Sequence, residues 1–474
     1  MRKKLLRTIT VILSIALFGC TAGPDYRRPS VTVPAGFKEL KGWKEAEPRD
    51  HEIVATWWKV FGDSQLNALE EQVVISNQSL AQAEAQYRQA RALVQGARAN
   101  YYPVLSVSAS ASRSRPSGST AAGTTDQYQL PLDALWEVDL WGRVRRQVES
   151  STASAQATAA DLQAVRLSIQ AALAQNYFLL RIADVQQKLL DDTVMAYAKA
   201  LELTQNRYAA GVATKADVVQ AQTQLKSTQA LAVDNGIQRA QLEHAIALLL
   251  GKSPADFSLP AAPVAPVTPP IPIGIPSDVL ERRPDVASAE RRVAAANAQI
   301  GVAKAAYFPS LTLAASTGYQ STAIGDLFST PSFFWALGPA ALAYTLFDGG
   351  ARKSLTDQAV ASYDAAVAAY RQTVLASFQE VEDNLAALRI LDDEALLQDE
   401  AVSAARESVI LTTNQYKAGI VSYLNVITTQ AIALANERTA MTIRGQRLNA
   451  AVLLIKALGG GWSAAELSAD RSAP

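Results

Sequence analysis

The sequence predicts an α+β chain, mainly long α-helical coiled-coil hairpins, with strand pairs set between helical runs. Three observations predict it. Most of the chain is duplicated at a nearly constant offset, apolar seams recur at a spacing of seven, and four short segments alternate apolar and polar residues.

The N-terminus reads as a secretion signal. Arg2, Lys3, Lys4 and Arg7 form a positive region ahead of the apolar run Ile9–Phe18. Leu17-Phe18-Gly19-Cys20 follows and resembles a lipoprotein cleavage box, with Phe18 departing from the small residue usual there. On this reading residues 1–19 are removed and Cys20, the single cysteine, is lipidated as N-palmitoyl and S-diacylglycerol cysteine. Acyl chains anchor at about 0.8 kcal/mol per buried CH₂. Thr21, and not Asp, follows Cys20, which resembles lipoproteins sorted to the outer membrane. Beyond the signal no stretch approaches ~18 continuous apolar residues, so any crossing of a membrane falls to strands.

The duplication is direct. Tyr101-Tyr102-Pro103-Val104-Leu105 recurs as Tyr307-Phe308-Pro309-Ser310-Leu311, an offset of 206. Asn206-Arg207-Tyr208-Ala209-Ala210-Gly211 recurs as Asn414-Gln415-Tyr416-Lys417-Ala418-Gly419, an offset of 208. The first repeat is placed at 20–253 and the second at 277–462. A Pro-rich linker at 254–276 joins them, read as extended because proline fixes φ and lacks an N–H. Residues 463–474 read as a flexible tail.

Each repeat carries a helical run, two strands, a very long helix, a glycine turn and a second long helix. Long helices are expected over about 143–208, 214–250, 350–416 and 421–458. Val367, Val374, Val381, Leu388, Ala395, Val402, Val409 and Tyr416 keep a strict spacing of seven. Leu173, Leu180, Val194, Leu201 and Tyr208 keep it in the first repeat, with Gln187 the polar lapse. An ideal helix drifts about 20° per heptad, so this seam implies left-handed supercoiling. Packing is the expected role of Tyr208 and Tyr416, with hydrogen bonding between helices at the tip as the alternative.

Strands are expected over about 102–113, 126–139, 308–320 and 333–347. Tyr128, Leu130, Leu132, Ala134, Trp136 and Val138 alternate with polar or mixed neighbours, as do Leu105, Val107, Ala109 and Ala111 with serines. Leu311, Leu313, Ala315 and Tyr319 form the third case. Phe334, Ala336, Leu342, Tyr344 and Leu346 form a fourth, interrupted by Gly338 and Pro339. A lipid-facing strand needs about 9–11 residues, apolar outward. The smallest membrane barrels have about eight strands, so four strands per chain require several chains to share a barrel. A soluble β-sandwich is the competing source of such alternation.

Several segments carry a family resemblance. They are Gly23-Pro24-Asp25-Tyr26-Arg27-Arg28-Pro29, Trp57-Trp58-Lys59-Val60-Phe61-Gly62-Asp63, Asp139-Leu140-Trp141-Gly142-Arg143, Phe347-Asp348-Gly349-Gly350, Ala457-Leu458-Gly459-Gly460-Gly461-Trp462 and, most specific, the stretch Ile275–Val286. Together they resemble the outer-membrane factor family of TolC/OprM-type efflux channels, closest to its lipoprotein NodT-like branch. The resemblance implies a TolC-like homotrimer with a 12-stranded transmembrane β-barrel and a periplasmic α-barrel. It implies docking to a periplasmic adaptor (membrane fusion protein) and an inner-membrane RND-type transporter, with outer-membrane lipid around the barrel. It also implies a periplasmic gate near the second hairpin tip. Leu424 matches a constricting leucine, while Asn425 and Thr428 match positions that carry aspartates in other members. Ala431 matches a position carrying arginine in one branch. Asp217, the first-repeat counterpart of Asn425, reads either as a helix cap or as an acidic group near the gate, and Tyr416 closes the seam above it.

Other classes fit less well. Lys+Arg and Asp+Glu are both 44, which gives no basic excess for nucleic acid. The two histidines, His51 and His244, sit in no metal or catalytic spacing, and no phosphate loop or nucleophile elbow is present. No enzyme activity, metal or cofactor is expected beyond the lipid on Cys20. A periplasmic coiled-coil adaptor lipoprotein and a type I protein-secretion channel remain the alternatives.

Overall fold

A computed structural model describes residues 21–39, 56–115, 123–263, 266–269 and 282–461. The signal, Cys20, His51, much of the linker, most of the Ile275–Val286 stretch and the tail lie outside the described residues. The elements in chain order are α1 (Ser64–Ser76), α2 (Gln78–Ala99), β1 (Val104–Val107), β2 (Ser110–Ser114), β3 (Thr125–Val138), α3 (Arg143–Ala209) and α4 (Lys215–Leu249). The second repeat supplies α5 (Pro284–Ala305), β4 (Ser310–Ser321), β5 (Phe333–Ala343), α6 (Ala351–Lys417) and α7 (Tyr423–Ala457). At 67 residues each, α3 and α6 are about 100 Å long. No helix among the described residues is long and apolar enough to cross a membrane.

The chain divides into two compact units, one from residues 1–30, 86–159 and 288–371 and one from 31–85, 160–287 and 372–474. The first holds the sheet, in which β1 and β2 pair with β3, β3 with β4, and β4 with β5, all antiparallel. The strand expected over 102–113 appears as two segments on one continuous register: Val107 faces Leu132 and Ser110 faces Gln129. Pro131 explains the gap. Its carbonyl accepts from Ser108 N at 3.2 Å, but it has no N–H to return.

Register places Tyr128, Leu130, Leu132, Ala134, Trp136 and Val138 on one face, beside Leu105 and Val107, Leu311, Leu313, Ala315 and Tyr319. Phe333, Trp335, Leu337 and Leu342 of β5 join that face. The opposite face carries Ser106, Ser110, Ser112, Gln127, Gln129, Asp133, Thr312, Ser316 and Gln320. No strand residue is buried, so neither face lies on a protein core. A soluble sandwich would bury its apolar face. The phase expected for β5 is corrected here. Phe334 and Ala336 oppose Gly318 and Ser316 on the polar face, whereas Leu342 is on the apolar one. A register shift between Leu313 and Ala315 exchanges the faces, as an extra residue must when side chains alternate. Tyr344 and Leu346 lie past the end of the strand, which stops at Ala343.

The motif residues have local work. Asp139 accepts from Val144 N and Arg145 N at 3.1 and 2.8 Å, and Asp348 accepts from Gly350 N and Arg352 N at 3.0 and 3.1 Å. Each carboxylate thereby satisfies free N–H groups at the start of a long helix and complements its dipole. Within the same unit the segment after Cys20 is pinned down. Asp25 pairs with Arg146 at 2.9 Å, Pro24 O accepts from Asn297, Tyr26 OH donates to Glu290, and Arg28 donates to Tyr370 at 3.2 Å.

In the second unit the heptad seams are packed: Leu173, Leu180, Val374, Val381, Leu388 and Val402 are buried. Gln187, the polar lapse, accepts from Asn235 at 3.0 Å. Buried Asp184 pairs with Arg181 and Arg239 at 2.9 and 2.7 Å. The two arginines donate to Pro260 O and Leu259 O, so the head of the linker is tied to α3 and α4. That head includes a short 3-10 turn, Pro254–Asp256, where the sequence suggests only extended chain. Ser253 caps it, and a proline in its first turn loses no hydrogen bond. Arg283 is buried and donates to Asp285, Glu380 and Ala457 O.

Candidate gate at the helical hairpin tips

The two hairpin tips are built alike. Gly211 and Gly419 have φ of 74° and 77°, a region that side-chain-bearing residues rarely adopt. At the first tip Val212 N donates to Arg207 O and Gly211 N to Tyr208 O. At the second, Ile420 N donates to Gln415 O and Gly419 N to Tyr416 O. Each is a Schellman ending that satisfies carbonyls of the incoming helix.

The outgoing helices differ. Thr214 and Asp217 form a reciprocal capping box at the start of α4: Thr214 N donates to Asp217 Oδ2 at 2.9 Å and Asp217 N to Thr214 Oγ1 at 3.2 Å. Asp217 therefore serves the cap, one of its two expected readings. Ser422 stands at the same place before α7 and makes no side-chain cap bond, and Asn425 stands where the first repeat has the acid.

Tyr416 is 6% exposed and packs with Ala221, Tyr423 and Val426. Its ring centroid lies 5.1 Å from that of Tyr423. Burial pushes the Tyr423 phenol above its usual range. The Tyr416 hydroxyl has no hydrogen-bond partner among the described residues, so packing, and not a bond through the oxygen, is its contribution. Arg207 sits with its guanidinium 4.7 Å from the Tyr416 ring centroid and Nη1 3.3 Å from Lys417 O. Sequence reading did not single out this contact between the two tips. The repeat offset pairs Arg207 with Gln415, and nothing in its own helix shows that it faces the other hairpin.

Tyr208 departs from the packing expected of it, being 46% exposed. The residue seven positions on is Tyr423 in the second repeat but Lys215 in the first. Lys215 lies over the Tyr208 ring at 5.7 Å and supplies no aromatic lid. On α7, Leu424, Asn425, Thr428, Ala431, Ile432 and Ala435 are exposed, while Tyr423, Val426, Ala433 and Leu434 are buried. Of the expected gate residues, Leu424, Asn425 and Thr428 thus share one exposed face of α7, whereas Asp217 lies in the cap of α4 and Tyr416 is buried on α6. Thr428 Oγ1 donates to Leu424 O at 2.9 Å. The stripe from 424 to 435 has no charged side chain, and Leu424 and Ile432, both about half exposed, are its bulky members.

The sequence matches the profile of the family described as outer membrane efflux protein over residues 69–252 and 275–460, one match for each repeat. The chain belongs to this family. It is 31% identical to the probable efflux pump outer membrane protein TtgC of Pseudomonas putida, over 95% of this chain and 94% of that one. It is also 31% identical to outer membrane protein OprJ of Pseudomonas aeruginosa, over 98% and 97% of the two chains. Among solved structures, the outer-membrane channel OprN superposes with a TM-score of 0.88 at 31% identity, covering 94% of this chain and all of that one. The family is one of channel proteins. This member is the outer-membrane channel component of an efflux pump, which works with adaptor and inner-membrane transporter components.

Proposed function

We propose that three copies of this chain close one twelve-stranded barrel in the outer membrane and form a passive exit duct for drugs or other small toxic solutes. The observation that carries the proposal is the sheet. It has four antiparallel ribbons with free edges at β1/β2 and β5, and an apolar face that no core covers. A free edge cannot face lipid, and four strands cannot enclose a lumen, so edges of neighbouring copies must pair. Cys20 carries the lipid anchor. The partners are a periplasmic adaptor and an RND-type transporter that supplies the energy, and the chain performs no chemistry itself. Relatives named as antibiotic, toluene and solvent efflux pump outer membrane proteins support this solute class.

The gate is the α7 face headed by Leu424, with Asn425 and Thr428 beside it. The Arg207–Tyr416 contact holds the second tip to the first. Outer-membrane fractionation with single-channel recording of the full-length lipoprotein tests the reading. Heat-modifiable migration, resistance to alkaline wash and stepwise conductance are expected. Release by alkaline wash without pore activity would favour a periplasmic adaptor instead.

A further inference from the structure

From the register of the sheet, we infer that Asp133 sets a cation preference in the membrane section of the channel. The inference rests on the shared-barrel reading above. Asp133 is at mid-length of β3, opposite Ser106 on β1 and Ser316 on β4, and therefore on the polar face. Its neighbours Leu132 and Ala134 are on the apolar face, so the carboxylate stands at the level of the apolar belt and points the other way. Ser316 Oγ donates to Asp133 Oδ1 at 2.6 Å and fixes its orientation.

The other carboxylates of β3 are neutralised. Glu137 pairs with Arg143 at 2.7 Å, and Asp126, on the opposite face, pairs with Arg113. Among the described residues no cation pairs with Asp133. Serine, threonine, glutamine and alanine make up most of the remaining polar face, so among the described strand residues each subunit leaves one uncompensated negative charge there. Leu424, Asn425, Thr428 and Ala431 offer no charge with which the tip could select ions.

Twelve strands spaced about 4.8 Å apart and tilted about 40° make a wall of radius roughly 12 Å. Three carboxylates on the order of 10 Å from the axis raise monovalent cations about three- to fivefold above bulk in dilute salt and lower anions by about the same factor. The Debye length is about 30 Å at 0.01 M and about 3 Å at 1 M, so the preference fades as salt rises.

The test is the zero-current potential of the full-length protein in planar bilayers under KCl gradients, at low and at high mean salt. Wild type should favour K⁺ over Cl⁻ by about ten- to twentyfold at low salt and approach unity near 1 M. Asp133→Asn keeps an acceptor for Ser316 and should bring the low-salt ratio close to one. Asp217→Asn, at the helix cap, should leave the ratio as in wild type. In Asp133→Cys, a sulfonate thiol reagent should restore cation preference and a trimethylammonium reagent should reverse it, which separates charge from folding. Conducting Asp133→Asn channels with wild-type selectivity would overturn the inference and leave the barrel standing. Absence of conductance from wild type would overturn the barrel, and this inference with it.

Discussion

Replacing Arg207 with methionine should open the channel. Methionine retains length and apolar volume but removes the cation from the Tyr416 ring and the donor from Lys417 O. A cation over an aromatic ring is worth about 0.5–1 kcal/mol when exposed and about 2 when desolvated. The Tyr416 ring is 6% exposed while Arg207 is only half-buried, so about 1–1.5 kcal/mol per subunit is the working value. If three subunits open together, roughly 3–4.5 kcal/mol leaves the closed state, or about 10²–10³-fold in the open–closed equilibrium. Single-channel recording of open probability reads this directly. Tyr416→Phe is the informative companion. The hydroxyl is buried without a partner among the described residues, so its loss should leave gating near wild type or tighten it slightly. Equal opening by Arg207→Met and Tyr416→Phe, or no opening by Arg207→Met, would refute a latch made through the ring face.

Three further outcomes follow from individual side chains. Leu424→Ala should raise conductance in planar bilayers, since the half-exposed leucine heads an uncharged face; unchanged conductance removes Leu424 from the gate. Thr214→Ala should cost about 0.5–2 kcal/mol in thermal unfolding, whereas Ser422→Ala should cost little, because only Thr214 bonds as a cap. Glu70 is fully buried, neither of its oxygens has a partner among the described residues, and burial pushes its carboxyl up to about 9. The folded chain then holds a proton that the unfolded chain releases above about pH 4.5, so stability is full below that pH and is lost as pH rises toward 9. The loss is about 3 kcal/mol between pH 5 and pH 7.5. Thermal melts of Glu70→Gln should lack this slope; an equal slope in both proteins would contradict it.

The helices were the most readable part of the sequence. Glycines bracket α3 (Gly142 and Gly211) and α6 (Gly350 and Gly419), and a seam at constant spacing of seven runs between, so local signals alone specify them. The sheet was readable in its alternation but not across its interruptions. Pro131 breaks a ladder belonging to β1 and β2, a consequence visible only once the strands are aligned. The shift opposite Leu313 and Ala315 moves Phe334 and Ala336 to the polar face, because an extra residue changes the phase of everything before it. At the tips, the α7 face from Leu424 to Ala431 could be placed by resemblance. Arg207 could not, since its partner is 209 positions away and belongs to the other repeat. The two terminal tyrosines looked equivalent in sequence. Their surroundings differ because Tyr423 has Lys215 as its counterpart, which makes one site an aromatic cluster and leaves the other open.

The most direct measurement is the native mass of the full-length lipoprotein in detergent, taken on the same sample that is reconstituted for conductance. Three chains in every conducting particle is the expected result, because the free edges of β1/β2 and β5 must meet between copies. A monodisperse single chain that still conducts would contradict it.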